Sequence, residues 1–171
     1  MWWSRTLLAV VLAVLLAGCG FRPLYGTSGT DKQVAALLAQ IRIETIADRT
    51  GQKLRNFLLD RINPDGQPAR PLYHLNVEVS VSRTDLGIQR DETATRALLR
   101  ITANYFLRDR ERKTVLVQGS TQSTNSFNIV ASDFATLSGE TDAIERAARE
   151  VSDDIKTRLA LYLTKPFEPV R

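Results

Sequence analysis

Cysteine and histidine are almost absent from this chain, which has one of each among its 171 residues. A single cysteine cannot form a disulfide within the chain, so the fold must be stabilised by packing. A single histidine leaves no zinc-type ligand cluster and argues against a Ser-His-Asp triad. No phosphate-cradling glycine loop occurs either. These absences argue against an enzyme and predict neither a metal site nor a cofactor.

The chain also lacks an apolar run long enough to span a membrane. Its longest apolar segment, residues 7–17, is shorter than the roughly 20 residues of a transmembrane helix. Arg5 precedes it and small residues end it, so residues 1–18 are predicted to be a secretory signal peptide. The ending Leu-Ala-Gly-Cys resembles a bacterial lipobox. Cys19 would then be the acylated first residue of a mature lipoprotein. The alternative, an ordinary secretion signal, leaves an oxidisable free thiol unexplained.

Strong charge of one sign is a third absence. The formal net charge is +4, and charged residues make up 25% of the chain. This modest excess is unlike the dense positive charge of a nucleic-acid-binding protein, so no nucleic-acid partner is predicted. A hydrophobic content of 43% is sufficient for one core. We expect a tether over residues 19–33, a single domain over 34–165 and a short tail over 166–171.

Hydrophobic periodicity predicts two long helices. Leu54, Phe57, Leu58 and Ile62 share one helical face, with Thr50 as the cap and residues 63–66 as the closing turn. Arg55, Asp60 and Arg61 are then expected on a solvated face. A longer stripe predicts a second helix over residues 138–163: Ile144, Ala148, Val151, Ile155, Leu159 and Tyr162. Residues 27–32 are predicted to be a spacer, and residues 34–39 are ambiguous.

Alternating apolar and polar residues predict four strands, over residues 41–45, 73–82, 96–108 and 114–127. Residues 83–95 are predicted to be a polar connection, and residues 109–113 a charged hairpin turn. The fold class is therefore α+β. We expect a two-layer sandwich, with two amphipathic helices on one face of a four-stranded, mostly antiparallel sheet, in the order β-α-β-β-β-α. Whether the first strand pairs in parallel is left open.

The last strand is unusually polar in its second half, residues 119–126. Two interpretations remain open for it. It is either an arm whose tip contacts a partner or a sheet edge kept polar against aggregation.

The mature chain would begin Cys-Gly-Phe-Arg-Pro-Leu-Tyr-Gly, residues 19–26. This sequence resembles the start of the lipopolysaccharide-assembly lipoproteins, the LptE family of Gram-negative bacteria. The resemblance continues through Ile-Arg-Ile-Glu at 41–44 and Asp-Arg-Thr-Gly-Gln-Lys-Leu-Arg-Asn at 48–56. The aromatic residues near the N-terminus either hold the tether on the domain or bind a partner. Gly20, where an aspartate would retain the protein at the inner membrane, permits sorting to the outer membrane.

The resemblance implies a non-catalytic outer-membrane lipoprotein that acts in lipopolysaccharide assembly. Such a protein would sit on the periplasmic side within the lumen of a β-barrel translocon (LptD-like), plug and stabilise that barrel, and bind lipopolysaccharide. The alternatives are an envelope scaffold without a lipid ligand and a lipid-anchored cell-wall hydrolase. The carboxylate pairs Asp91-Glu92 and Asp153-Asp154 lack the apolar surroundings that such a hydrolase needs.

The candidate ligand-binding residues are arginines, whose planar guanidinium groups match phosphate geometry. Arg96, Arg100 and Arg108 share one face of a predicted strand, together with Leu98 and Phe106. The resemblance implies that the ligand is lipopolysaccharide. Its lipid A and inner core carry phosphate groups. The alternative is that these arginines pair with Glu78, Asp109 and Glu111. His74 is expected on the wet face of its strand. The complete candidate set is Arg96, Arg100, Arg108, Arg90, Arg112 and Lys113.

Overall fold

The computed structural model describes residues 29–88 and 94–164 of the chain. In this part the chain forms three helices and four strands. They are α1 (Gly29–Leu38), β1 (Ile41–Ile43), α2 (Asp48–Ile62), β2 (Tyr73–Ile88), β3 (Ala94–Arg108), β4 (Val115–Asn128) and α3 (Asp133–Thr164). The signal peptide, Cys19 and the tail fall outside the described residues, as do residues 89–93.

The strands form one sheet in the order β1-β2-β3-β4. β1 pairs in parallel with β2, whereas β2, β3 and β4 form an antiparallel meander. Asp109 closes the turn between β3 and β4 by accepting hydrogen bonds from the backbone N–H groups of Lys113 and Thr114, at 2.9 and 3.2 Å. The α+β sandwich predicted from the sequence is confirmed, and the parallel option for β1 is the one adopted.

One face of the sheet packs against the helices. Alternate residues of β3 from Ala97 to Leu107 are buried, because side chains alternate between the two faces of a strand. They meet the buried residues of both long helices in one core, where each fully buried leucine contributes about 2 kcal/mol. The core residues of the two long helices are Leu54, Leu58, Ile62, Ala143, Ala147, Ala148, Val151, Ile155 and Leu159, and α1 adds Leu38.

The helices differ from the prediction at their N-terminal ends. α1 begins at Gly29, so residues 29–32 are helical although they were predicted to be a spacer. α2 begins at Asp48, and its N-cap position is Ala47, which makes no side-chain cap. Thr50 therefore lies inside the first turn, and its predicted capping role is wrong. The end of α2 is as predicted, with Asn63 at the C-cap position.

Two arginines of α2 are structural rather than solvated. Arg55 donates hydrogen bonds to the backbone oxygens of Glu44 and Ile43, at 3.2 and 3.4 Å, and so joins α2 to β1. Arg61 forms a bidentate ion pair with Asp153 of α3. The prediction of a purely solvated face is wrong at these two positions, because the neighbouring elements supply acceptors that the helix periodicity does not reveal.

β2 is longer than predicted. Residues 83–88 continue the strand and pair with β3, although they were expected to form a polar connection. Polar residues are tolerated here because residues 81–87 of β2 are exposed. None of the helices in residues 29–88 and 94–164 is long and apolar enough to cross a membrane.

Candidate functional site: the open face of the sheet

The sheet has a second face, turned away from the helices, which we call the open face. On β3 it carries the residues that alternate with the buried ones: Arg96, Leu98, Arg100, Thr102, Asn104, Phe106 and Arg108. The predicted grouping of three arginines with Leu98 and Phe106 on one face therefore agrees with the strand geometry. Most of the neighbouring residues on β4 are hydroxyl or amide side chains.

Arg96 and Arg100 lie near the end of the sheet where β2 and β3 are connected. Both are exposed. Their Cα atoms are about 13 Å apart along an extended strand. Arg96 donates a 2.8 Å hydrogen bond to the Ser126 hydroxyl, and Arg100 a 3.3 Å bond to that of Thr124. Within residues 29–88 and 94–164, neither forms an ion pair. The structure thus presents two guanidinium groups held only by neutral partners.

The other candidates lie at the opposite end of the strand and are engaged differently. Arg108 is half-buried and donates to the backbone oxygen of Arg112, at 3.3 Å. Arg112 forms a 3.0 Å ion pair with Glu44, and Lys113 a 2.7 Å ion pair with Glu111. Arg108 lies about 27 Å from Arg100 along the strand. The structure therefore divides the predicted set into two groups. Arg90 lies outside the described residues.

His74 is on the open face, as its alternation predicts, but it is not exposed to solvent. Only 5% of it is accessible, because Glu44 and Arg112 cover the ring. Nδ1 of His74 lies 2.7 Å from the Glu44 carboxylate and 3.2 Å from Nε of Arg112. The expectation of a wet position is wrong. This cluster ties the β3–β4 turn to β1 and β2.

Exposed apolar side chains at the end of the sheet where Arg96 lies are a feature that the sequence patterns did not predict. Leu86 pairs directly with Arg96 across β2 and β3 and is 40% exposed. Val130, Phe134 and Leu137 lie where β4 leads into α3, and Phe134 is 79% exposed. Leu137 falls seven residues before Ile144, so the apolar stripe of α3 extends towards the N-terminus of the helix, beyond its buried residues. This extension of the stripe is the sequence signal that could have identified the exposed apolar residues.

The carboxylate pair Asp153 and Asp154 of α3 is poorly suited to acid–base chemistry. Asp153 is bound by Arg61, and this hydrogen bond lowers the pKa of the Asp153 carboxyl, whereas a general acid needs a raised pKa. Asp154 forms a 2.8 Å ion pair with Arg158. In the part of the chain that the structure describes, no group of three or more histidine, cysteine, aspartate or glutamate residues could hold a metal ion.

A family model described as "LptE: Lipopolysaccharide-assembly" matches residues 38–159, which is more than half of the chain. No protein with a curated description matches the sequence.

Several solved structures share this fold. A Caulobacter crescentus protein described as a lipoprotein is 28% identical, with a TM-score of 0.62, covering 78% of this chain and 98% of its own. A minor lipoprotein from Acinetobacter baumannii is 18% identical, with a TM-score of 0.56, covering 71% of this chain and 91% of its own. Rare lipoprotein B from Shewanella oneidensis is 10% identical, with a TM-score of 0.57, covering 71% and 93%. The last two comparisons support the fold alone.

Proposed function

Because the chain belongs to the LptE family of lipopolysaccharide-assembly proteins, we propose that it is a non-catalytic outer-membrane lipoprotein that binds lipopolysaccharide and plugs its translocon barrel. Family membership supports the coarser statement, that this is an envelope lipoprotein of lipopolysaccharide assembly. The finer roles are the proposal. The single observation that carries lipopolysaccharide binding is the pair Arg96 and Arg100, both exposed on the open face of β3.

The chemistry of the ligand fits this end of the sheet. Lipopolysaccharide is an amphiphile that combines phosphate groups with acyl chains. Arg96 and Arg100 offer guanidinium groups that match phosphate geometry, and among the described residues their hydrogen-bond acceptors are hydroxyl groups. Leu86 and Phe134 are exposed at the same end, where they are available to acyl chains. Arg108, Arg112 and Lys113 have a weaker claim, because two of them are already in ion pairs.

The proposed position inside a barrel fits the polarity of the open face. The lumen of an outer-membrane barrel is polar, and so are most of the side chains that β2 and β4 present on this face. We place the anchor at Cys19, after removal of residues 1–18. Acyl chains gain about 0.8 kcal/mol for each buried methylene, so several chains bind a bilayer firmly. The intact mass of the mature chain tests this assignment, and an unmodified thiol at Cys19 contradicts it.

Charge reversal of the arginine pair tests the lipopolysaccharide site. We expect Arg96→Glu together with Arg100→Glu to weaken binding of purified lipopolysaccharide by at least about tenfold, since bonds to charged groups contribute about 1.5–3 kcal/mol each. The defect should shrink as ionic strength rises, because salt screens exposed charges. Binding is measured by titration in detergent, with circular dichroism as the folding check.

Lys32→Glu with Arg70→Glu is the matched control. Both residues are exposed, and the double variant changes the net charge by the same amount on another part of the surface. We expect it to bind lipopolysaccharide almost as well as the wild type. Equal loss in both double variants would mean that only net charge matters. If the Arg96/Arg100 variant binds lipopolysaccharide as well as the wild type, these two arginines do not form the binding site.

A further inference from the structure

β4 forms one edge of the sheet, and within the described residues β3 is its only strand partner. The opposite edge is well protected. β1 has only three residues, and the N–H of Ile43 donates to the side-chain oxygen of Gln67, at 3.1 Å. β4 has 14 residues. The β4 edge therefore offers many more backbone N–H and C=O groups for pairing than the β1 edge does.

The register identifies which backbone groups of β4 face outward. The N–H of Ile129 donates to the oxygen of Thr95, at 3.0 Å, so these two residues form a hydrogen-bonded pair. Such pairs alternate with non-bonded pairs along an antiparallel ladder. The odd-numbered residues of β4 thus bond to β3. The N–H and C=O groups of even-numbered residues from Gln118 to Asn128 point away from it.

Most of this edge lacks the features that normally prevent pairing. The exception lies near its end, where Arg146 of α3 donates to the outward-facing oxygen of Ser126, at 3.5 Å. In natural proteins, charged side chains, proline or a short length protect edge strands from pairing with other chains. From Val115 to Asn128 there is neither a charged residue nor a proline. Between Gly119 and Ser126 most side chains are small, so another backbone could approach closely. A long edge of this kind is a liability for an exported protein unless a partner covers it.

A groove with unbalanced negative charge lies along the same edge. Its volume is about 480 Å³, and it is lined by Ser120, Thr121, Gln122, Ser123, Glu150, Asp154 and Arg158. Asp154 is balanced by Arg158. Glu150 accepts hydrogen bonds from the Ser123 hydroxyl and the Asn125 amide, and no cation within the described residues forms an ion pair with it. A basic side chain seated here would complete the charge balance.

A second copy of this chain fits the edge poorly in the registers centred on Gln122 and its neighbours. α3 follows β4 so that Glu150 lies beside Ser123 and Arg146 beside Asn125. Asp154, one turn further along α3, lines the groove beside Thr121. A two-fold antiparallel pairing of two β4 strands about Gln122 would therefore place Glu150 of one copy opposite Asp154 of the other. Two-fold axes at Thr121 or Ser123 would oppose identical carboxylates. An axis at Thr124 would bring Glu150 of each copy towards Arg146 of the other, but pairing there needs the Ser126 oxygen, to which Arg146 of the same chain already donates at 3.5 Å.

We propose that an extended segment of the barrel partner adds to the sheet at β4 and places a basic side chain against Glu150. This inference rests on the proposed function, because it assigns the edge to that same partner. Main-chain hydrogen bonds would supply affinity, as in other cases of strand addition, and the Glu150 contact would set the register.

Proline substitution at an outward-facing position tests the pairing. Gln122→Pro removes one outward N–H without breaking a bond to β3, whereas Gln122→Ala removes the side chain and keeps the N–H. The tagged full-length chain is purified from detergent-extracted membranes, and the co-purified barrel is quantified. We expect Gln122→Pro to recover about tenfold less barrel, from a lost hydrogen bond and the clash of the ring. Gln122→Ala should recover nearly as much as the wild type.

A photo-crosslinking side chain at position 122 gives a second measurement that does not depend on the folding of the proline variant. The expected product is a crosslink to the barrel protein. Glu150→Gln should reduce barrel recovery at low salt more than at high salt. Undiminished recovery by Gln122→Pro, or a crosslink between two copies of this chain, would overturn the inference while leaving the proposed function intact. Absence of the barrel from the wild-type preparation would overturn both.

Discussion

Gly51 in α2 occupies a position that has no room for a side chain. A Cβ atom built there would lie 2.6 Å from Cγ2 of Ile46, which is itself 2% exposed. Contacts this short require movement of the neighbour, and Ile46 is packed in the core. The glycine in the Asp-Arg-Thr-Gly segment that resembles the LptE family thus has a physical reason in this fold.

We predict that Gly51→Ala destabilises the domain. Alanine in a helix gains about 1 kcal/mol over glycine, whereas overpacking a core costs about 1–3 kcal/mol. The expected net loss is about 1 kcal/mol in the free energy of unfolding, measured by urea denaturation. Gln52→Ala, at the exposed neighbouring position, should change stability by less than about 0.5 kcal/mol. A Gly51→Ala protein more stable than the wild type would show that Ile46 can move freely.

Residue-level roles were the least predictable from the sequence. The face occupied by Arg96 and Arg100 follows from strand alternation, but their hydroxyl partners depend on the register with β4. The burial of His74 could not be foreseen, because the residues that cover it come from positions 30 and 38 residues away. Periodicity reports the face on which a residue lies, not what the rest of the chain places over that face.

The two long helices are joined by the ion pair between Arg61 of α2 and Asp153 of α3. Phe57 adds to this contact, since the guanidinium groups of Arg61 and Arg149 lie 5.5 and 5.4 Å from the centre of its ring. The hydrogen bond from Arg61 lowers the pKa of Asp153 from the usual 3.8. A carboxyl group with a lowered pKa stabilises the folded state above its unfolded pKa, and this stabilisation is lost as the pH falls.

We predict that Asp153→Asn costs stability at neutral pH but not in acid. The Asp153 side chain is 58% exposed, so screening by solvent limits the loss to about 0.5 kcal/mol at pH 7. As the pH falls below about 4, the difference in free energy of unfolding between variant and wild type should shrink towards zero. Urea denaturation at pH 7 and pH 3 measures it. A difference independent of pH would mean that the Asp153 charge is not involved.

At the level of elements, hydrophobic periodicity predicted the helices and strands reliably, whereas polar composition did not predict loops reliably. The apolar stripes located α2 and α3, and alternation located all four strands. The polar and charged composition of residues 83–88 predicts a connection. The segment is a strand because its backbone groups pair with those of β3, and this pairing does not require apolar side chains. The polar strand β4 lies at one edge of the sheet, a position consistent with both interpretations of its polarity, a partner-binding arm and an edge kept polar against aggregation.

Residues 29–88 and 94–164 form a two-layer sandwich, with the core between the sheet and the helices and with Arg96 and Arg100 on the opposite face of the sheet. The layering followed from the sequence because amphipathic helices and a one-sided sheet must bury their apolar faces together. The partners that we propose did not follow from residue patterns alone. The proposals rest on family membership, on the exposed arginines of β3 and on the edge of β4 that no other strand of the described residues pairs with.

The most direct test of the central claim is the amount of newly made lipopolysaccharide that reaches the cell surface when this protein is depleted. Surface labelling after controlled depletion should show a fall in lipopolysaccharide on the outer leaflet, with recovery when the full-length chain is supplied again. If the surface amount stays unchanged while the protein is absent, the protein does not act in lipopolysaccharide assembly, and the proposed function is wrong.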